Sequence, residues 1–271
     1  MMSSAKSQLP PPRKSWGQNF IFDPNIILKI IRTIDPGPED VFLEIGPGRG
    51  ELTFPLAEQV ASMIAVELDP KLVDYLGEVL PAKVQLIHAD ILDLDFEESL
   101  PARYRIYGSL PYYITTPILF RVLEHRSRWS DAYFIIQREV AERMAAAPGG
   151  KEYGRLSVML QACADIRKCF NIPAAVFRPK PKVDSTLVQL VPGENHGHIE
   201  DDDLFATVVR LAFGQRRKKL SNALKSLEAG GILEDLGLAN VRAEQVSVAD
   251  FIHLSSTLSH RYGIVFQEIK A

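Results

Sequence analysis

Residues Ser109-Leu110-Pro111-Tyr112 set a hydroxyl, a proline and a flat aromatic ring in one short step, one glycine after Tyr104-Arg105-Ile106-Tyr107, a run that reads as a buried strand. Pro111 has no N–H and a fixed φ, and it biases Leu110 toward extended geometry. Carbonyls at this step therefore escape a helix and stay free to accept hydrogen bonds. Ser109 adds a side-chain acceptor. Tyr112 offers a ring on which a nucleobase would stack for roughly 1–3 kcal/mol. Together they predict a pocket that grips a flat base and hydrogen-bonds its exocyclic amine.

A second set of candidates lies upstream. Gly46, Gly48 and Gly50 follow the apolar run Val41–Ile45 and let backbone approach a ligand closely. Their spacing is one residue short of the dinucleotide fingerprint G-x-G-x-x-G, and Glu51 follows at once, which disfavours a pyrophosphate. With Glu44 just before the turn, the local charge suits a ligand carrying an amino group and a sulfonium. Glu67 closes the next strand at about the distance where an acid binds ribose hydroxyls, and hydrogen bonds to a charged group contribute roughly 1.5–3 kcal/mol each. Asp90, in His88-Ala89-Asp90-Ile91, closes a third strand, where its carboxylate or a neighbouring amide meets an adenine amine.

These residues need a scaffold that delivers successive strand ends to one place. Asp23-Pro24 followed by Ile26, Ile27, Ile30 and Ile31 predicts a capped helix to about Thr33, ended by Pro36-Gly37-Pro38. Val41–Ile45, Met63–Val66, Val84–His88, Tyr104–Tyr107 and Ala132–Gln137 read as strands. Helical stretches fall near 70–80, 115–124 and 138–147. Leu52, Leu56 and Val60 keep helical spacing after the glycine turn. Such alternation predicts an α/β fold, a doubly wound and mostly parallel sheet whose ligands bind at the carboxyl ends of the strands. Arg167–Ile172 and Ser185–Val191 are read as added edge strands. Pro192-Gly193-Glu194-Asn195-His196-Gly197 is the best boundary signal, and beyond it the chain reads helical, including Val248–Leu258. The expected organisation is a flexible leader at 1–14, a ligand-binding domain at 15–192 and a small C-terminal helical domain at 193–271.

Composition narrows the class. The 271 residues are 46% hydrophobic and 24% charged, with a net charge of −3, which fits a globular protein rather than a disordered, fibrous or membrane one. No apolar run reaches the roughly 18 residues of a membrane span, so a cytoplasmic protein is expected. Cys163 and Cys169 lie outside any metal-ligand or disulfide pattern and read as reduced core thiols, and no metal is expected. The modest charge hides a local asymmetry. The acidic run Glu200-Asp201-Asp202-Asp203 suits a helix N-terminus, and the window from Leu204 to Lys225 carries Arg210, Arg216, Arg217, Lys218, Lys219 and Lys225 with no acid.

Five motifs in order now resemble a known family. Gln18-Asn19-Phe20, Glu44-Ile45-Gly46-Pro47-Gly48-Arg49-Gly50, Ala65-Val66-Glu67-Leu68-Asp69, Leu110-Pro111-Tyr112 and Phe177-Arg178-Pro179-Lys180-Pro181-Lys182-Val183-Asp184-Ser185 are similar to motifs of the S-adenosylmethionine-dependent rRNA adenine dimethyltransferases, a Rossmann-like class I methyltransferase family. The small-subunit branch is the best match, and Phe213-Gly214-Gln215-Arg216-Arg217-Lys218-Lys219-Leu220 extends the resemblance, which runs from about Lys14 to about Leu258. The resemblance implies S-adenosyl-L-methionine as cofactor, held by Asn19, Ile21, Glu44, Gly46, Gly48, Glu67, Leu68, Asp90, Ile91 and Ser109. It implies Ser109, Leu110, Pro111 and Tyr112 as the target-adenine step and Phe177 as a second aromatic against the base. Arg216, Arg217, Lys218 and Lys219 become candidates for RNA phosphate. The implied substrate is adenine, dimethylated at two adjacent positions in a hairpin loop near the 3′ end of 16S rRNA, within a pre-ribosomal 30S particle and by a monomeric enzyme. The family pattern has Asn where this chain has Ser109. A large-subunit rRNA methyltransferase of the resistance type, or a non-catalytic small-subunit assembly factor, are the alternatives.

Overall fold

The computed structural model describes residues 9–13, 16–193, 197–215 and 218–262. Arg216 and Arg217 lie outside the described residues. The chain divides into two compact units, Met1–Ala141 with Arg167–Pro192, and Glu142–Ile166 with Gly193–Ala271. This differs from a single cut after residue 192: the segment Glu142–Ile166 groups with the C-terminal residues although it sits between strands of the sheet in sequence. Local periodicity carries no information on which neighbours a segment will choose.

In chain order the described residues form β1 (Phe20–Ile21), α1 (Pro24–Ile34), β2 (Val41–Ile45), α2 (Thr53–Ala57), β3 (Ser62–Glu67), α3 (Pro70–Val79), β4 (Val84–His88), α4 (Phe96–Ser99), β5 (Tyr104–Ser109), α5 (Thr115–Glu124), β6 (Trp129–Gln137), α6 (Arg138–Met144), α7 (Arg155–Gln161), β7 (Ala164–Ile172), β8 (Phe177–Arg178), β9 (Ser185–Pro192), α8 (Asp202–Gly214), α9 (Leu220–Ala223), α10 (Gly230–Asp235) and α11 (Val248–Tyr262). The strands of the main sheet run in the order β4-β3-β2-β5-β6-β9-β7. β4, β3, β2, β5 and β6 are parallel neighbours, and β9 joins β6 antiparallel. Of the two expected edge strands, β7 does end the sheet, whereas β9 lies inside it between β6 and β7.

Parallel strands need crossovers, and the sequence supplies capped helices both ahead of β2 and between the parallel neighbours β3 and β4. Asp23 caps α1, its carboxylate accepting from the Asn25 N–H at 2.9 Å, and Pro24 takes the first helical position. Asp69 caps α3 in the same way through the Lys71 N–H at 3.0 Å. Strands covered on both faces read as near-continuous apolar runs. Phe42, Leu43, Ile106, Phe134 and Ile136 are accordingly fully excluded from solvent. Strand order reverses between β2 and β5, a topological switch point where such sheets open a crevice beyond the carboxyl ends of the strands.

The second unit is helical where the sequence reads helical. Asp201 caps α8 by accepting from the Leu204 N–H at 2.9 Å, and Asp202 and Asp203 occupy its first turn, which suits the helix dipole. Phe205, Val208, Leu220, Leu233, Phe251 and Leu254 form its buried interior, and the Tyr153 hydroxyl donates to the Val246 carbonyl at 2.9 Å. Cys163 is buried, Cys169 is half-buried, and both are free thiols. No helix among the described residues is long and apolar enough to cross a membrane, and no group of His, Cys, Asp or Glu among them is placed to hold a metal ion.

Candidate active site

A cleft of about 1150 Å³, counted out to its open mouth, lies in the first unit at the switch point. Its cofactor-side candidates Asn19, Ile21, Glu44, Gly46, Gly48, Glu67, Leu68, Asp90 and Ile91 all line it, as do Ser109, Leu110, Pro111, Tyr112 and Phe177. Lys218 and Lys219 are exposed residues of the second unit and do not line it.

The glycine turn leaves β2 with left-handed backbone, φ +70° at Gly46 and +89° at Gly50. Only glycine adopts these values without strain. At Gly50 a Cβ would also meet the Phe54 ring at 2.5 Å. At Gly46 the turn passes the end of β5: a Cβ there would lie 3.9 Å from the Ser109 carbonyl oxygen, so glycine turn and target step flank one crevice. The structure extends β5 through Gly108 and Ser109, two residues beyond the expected strand, which makes Ser109 a strand residue paired with Ile135.

Two carboxylates at neighbouring strand ends behave differently. Glu67 is held by backbone: Oε1 accepts from the Leu68 and Asp69 N–H groups at 3.0 and 2.9 Å, while Oε2 has one longer contact, 3.3 Å, from the Gly48 N–H. Burial raises its pKa and these amides oppose the rise. Glu44 is 1% exposed, and its Oε2 has no hydrogen-bond partner among the described residues. Its strand neighbour Tyr107 likewise has a buried hydroxyl with no partner among the described residues. Burial pushes Glu44 up to about 8, opposed by the Thr53 hydroxyl and reinforced by the charges of Glu51 and Glu67. Burial thus disfavours the charged form of Glu44 in the ligand-free protein, and a cationic partner would favour it again. Buried polar atoms left unpaired are costly, so Glu44 and Tyr107, which both line the cleft, mark a place where a ligand's polar group fits.

At the third strand end, Asp90 accepts from the Leu92 N–H through Oδ1 at 2.9 Å. The target step is arranged by α5. The Pro111 carbonyl is taken, accepting from the Ile114 N–H at 3.2 Å and the Thr115 hydroxyl at 2.9 Å. Among the described residues nothing hydrogen-bonds the Leu110 carbonyl or the Ser109 hydroxyl. Two acceptors thus remain open on residues that line the cleft together with Tyr112.

Several residues of the site escaped sequence reasoning. Asp69, 1% exposed, gathers the chain before β1: its carboxylate pairs with Arg13 at 3.2 Å and accepts from Gln18 at 2.9 Å. Arg49 donates to the Pro10 carbonyl at 2.6 and 3.1 Å and lies 4.4 Å from the centre of the Phe20 ring. β1 then pairs antiparallel with β8, setting Ile21 opposite Phe177. The Gln18-Asn19-Phe20 motif was the one signal that could have pointed to this strap. Trp16, Tyr107, Tyr113 and Ser185 also line the cleft.

The sequence profile of the family described as ribosomal RNA adenine dimethylase matches residues 11–260. The chain belongs to that family. It is 44% identical over 256 residues to the ribosomal RNA small subunit methyltransferase A of Xanthomonas campestris pv. campestris strain B100, covering 91% of this chain and 96% of that protein. The protein of the same name from Xanthomonas euvesicatoria pv. vesicatoria is 43% identical with the same coverage. Among solved structures, a dimethyladenosine transferase from Plasmodium falciparum superposes with a TM-score of 0.79 at 24% identity, over 90% of this chain and 98% of that one. The 23S rRNA methyltransferase ErmE superposes with a TM-score of 0.65 at 23% identity, over 89% and 99%. These two likenesses establish the shared fold, the α/β class of Rossmann-like methyltransferases.

Proposed function

We propose that this enzyme transfers methyl groups from S-adenosyl-L-methionine to the N6 amine of two adjacent adenines in a hairpin loop near the 3′ end of 16S rRNA, dimethylating each during assembly of the small subunit in the cytoplasm. The observation that carries the reading is the juxtaposition of two open acceptors, Ser109 Oγ and the Leu110 carbonyl, with the cofactor-side carboxylates in one cleft. The small-subunit target is supported by the 44% identical relative.

The cleft fits the cofactor by its chemistry. Oε2 of Glu67 faces the glycine turn with lone pairs to spare for ribose hydroxyls, and Asp90 with Ile91 flanks the position of an adenine. The unpartnered Glu44 and Tyr107 groups suit an ammonium, whose charge would draw the Glu44 proton off. Bound there, S-adenosylmethionine supplies a methyl group on a sulfonium that is already a good leaving group.

The protein's task is then positioning and charge complementarity rather than strong acid–base work. An adenine amine is a poor nucleophile because its lone pair is delocalised into the ring. Ser109 Oγ and the Leu110 carbonyl each accept one N–H, which favours the pyramidal nitrogen that attacks in line. Tyr112 and Phe177 hold the ring, and a base taken from a hairpin loop costs less to unstack than one in a duplex. Serine replaces the family's Asn while still offering an acceptor.

The basic segment Arg216, Arg217, Lys218 and Lys219 of the C-terminal helical part serves RNA phosphate in this reading, and the enzyme works as a monomer on a pre-30S particle. Replacing all four with Ala should weaken RNA binding and flatten its salt dependence by nearly one unit of log–log slope for each phosphate no longer neutralised. An unchanged slope would count against the assignment. The function itself is tested by incubating the protein with labelled S-adenosylmethionine and small subunits lacking the modification, with large subunits as control. Label should enter small-subunit rRNA alone. Label in large-subunit rRNA would support the resistance-type activity instead, and cofactor binding with no transfer would support an assembly factor.

A further inference from the structure

Ser185 opens β9 with 0% exposure, yet it lies on the wall of the cleft. Its Oγ is 3.0 Å from the Tyr112 hydroxyl, 73 residues away in sequence. Backbone fixes this serine from several sides. It pairs with Gln137 of β6, and the preceding Asp184 is tied twice, its carbonyl accepting from the Arg138 N–H at 3.0 Å and its carboxylate from the Ala174 N–H at 2.9 Å. The next residue, Thr186, donates to Asn171 at 2.9 Å.

Tyr112 lacks such support. It sits in the turn between β5 and α5, and Ser185 is the one hydrogen-bond partner of its side chain among the described residues. A ring free to swing about its side-chain torsions is a poor stacking wall. Anchoring the hydroxyl at its far end to a strand residue fixes its plane. Phe177, opposite Ile21 in the β1–β8 pair, belongs to the same short segment as Ser185, so both aromatic walls refer to one piece of chain.

We propose that Ser185 is a positioning residue for methyl transfer: its hydroxyl holds the Tyr112 ring at the angle that presents the adenine N6 to Ser109 and Leu110. The inference rests on the reading of the cleft given above. Among the described residues the Ser185 hydroxyl makes no hydrogen bond to the cofactor-side carboxylates or to the open acceptors. Its loss should therefore appear in the rate of transfer and leave cofactor affinity unchanged, because a reacting group misplaced by a fraction of an ångström loses rate without losing its binding partners.

The test is a kinetic double-mutant cycle on small subunits lacking the modification, with S185A, Y112F, S185A/Y112F and S185T, and cofactor affinity measured in parallel by calorimetry. Y112F keeps the ring and removes only the tie. Loss of one hydrogen bond predicts that S185A and Y112F each lower kcat by about three- to tenfold with unchanged cofactor Kd. The double variant should be no slower than the slower single one, and S185T, which keeps a hydroxyl, should retain most of the rate. Losses that multiply in the double variant, a wild-type rate in either S185A or Y112F, or cofactor affinity falling in step with rate would each overturn the proposal. If S185A does not fold, Y112F against wild type still decides, since the proposal requires it to be slower. A wild-type enzyme inactive on this substrate defeats the functional reading and the proposal together, whereas an active wild type with an indifferent Y112F defeats the proposal alone.

Discussion

The two ends of the cleft are built from different materials. The cofactor end is made of carboxylates at strand termini, Glu44, Glu67 and Asp90, set around backbone of left-handed conformation. The target end has no charged side chain in its step: it is a hydroxyl, a carbonyl and two aromatic rings, Ser109, Leu110, Tyr112 and Phe177. The first end suits a cationic ligand with hydroxyls, gripped by directional hydrogen bonds. The second suits a neutral, flat base that must be held in plane and released after each transfer. One cleft thus separates affinity from alignment, and substitutions at its two ends should fail in different measurements.

The largest effect is expected at the target end. Removing both rings in Y112A/F177A should slow methyl transfer by roughly five- to 150-fold per ring, given about 1–3 kcal/mol of stacking for each, while calorimetry finds cofactor affinity unchanged. A parallel fall in affinity would dissolve the distinction between the two ends. At the cofactor end, E67A should weaken S-adenosylmethionine binding by about 10- to 150-fold, the equivalent of a hydrogen bond to a charged group at roughly 1.5–3 kcal/mol. Transfer at saturating cofactor should fall much less.

A smaller effect, graded with pH, is expected from Glu44. Its pKa of about 8 lies far above the ordinary carboxylate value, so the cofactor-free protein is stabilised relative to an ionised Glu44 at low pH and loses that contribution as pH rises toward 8. A bound ammonium favours the ionised form, so binding should release up to one proton near pH 7, and affinity should rise by at most about tenfold per pH unit below 8. Thr53, Glu51 and Glu67 are the groups that act on this acid. Calorimetry in buffers of different ionisation enthalpy measures the proton directly. E44Q should abolish the release, weaken binding and raise the Tm of the cofactor-free protein more at pH 8 than at pH 5. Proton release that persists in E44Q would assign it to another group.

Much of the frame was legible from the sequence because its signals are local. The capped start of α1 at Asp23-Pro24, the strand of Val41–Ile45 and the glycine turn after it depend on residues within a few positions of each other. Strand ends were less sharp, and β5 runs on to Ser109 because Gly108 and Ser109 continue pairing with neighbouring strands, which their own side chains do not announce. What sequence reasoning missed is long-range. Asp69 reaches back to Arg13 and Gln18, Phe177 pairs opposite Ile21, and Ser185 meets Tyr112. No periodicity encodes such meetings. The raised pKa of Glu44 was hidden for a different reason, since it follows from burial, which a sequence does not state.

The central claim is that this cleft, with serine at position 109, completes methyl transfer to adenine N6. Nucleoside mass spectrometry of the 3′-terminal fragment of small-subunit rRNA, after incubation of unmodified subunits with the wild-type protein and S-adenosylmethionine, tests it most directly. The account predicts two adjacent N6,N6-dimethyladenosines in that fragment and none without the protein. Unmodified adenines under conditions where calorimetry shows the cofactor bound would contradict it.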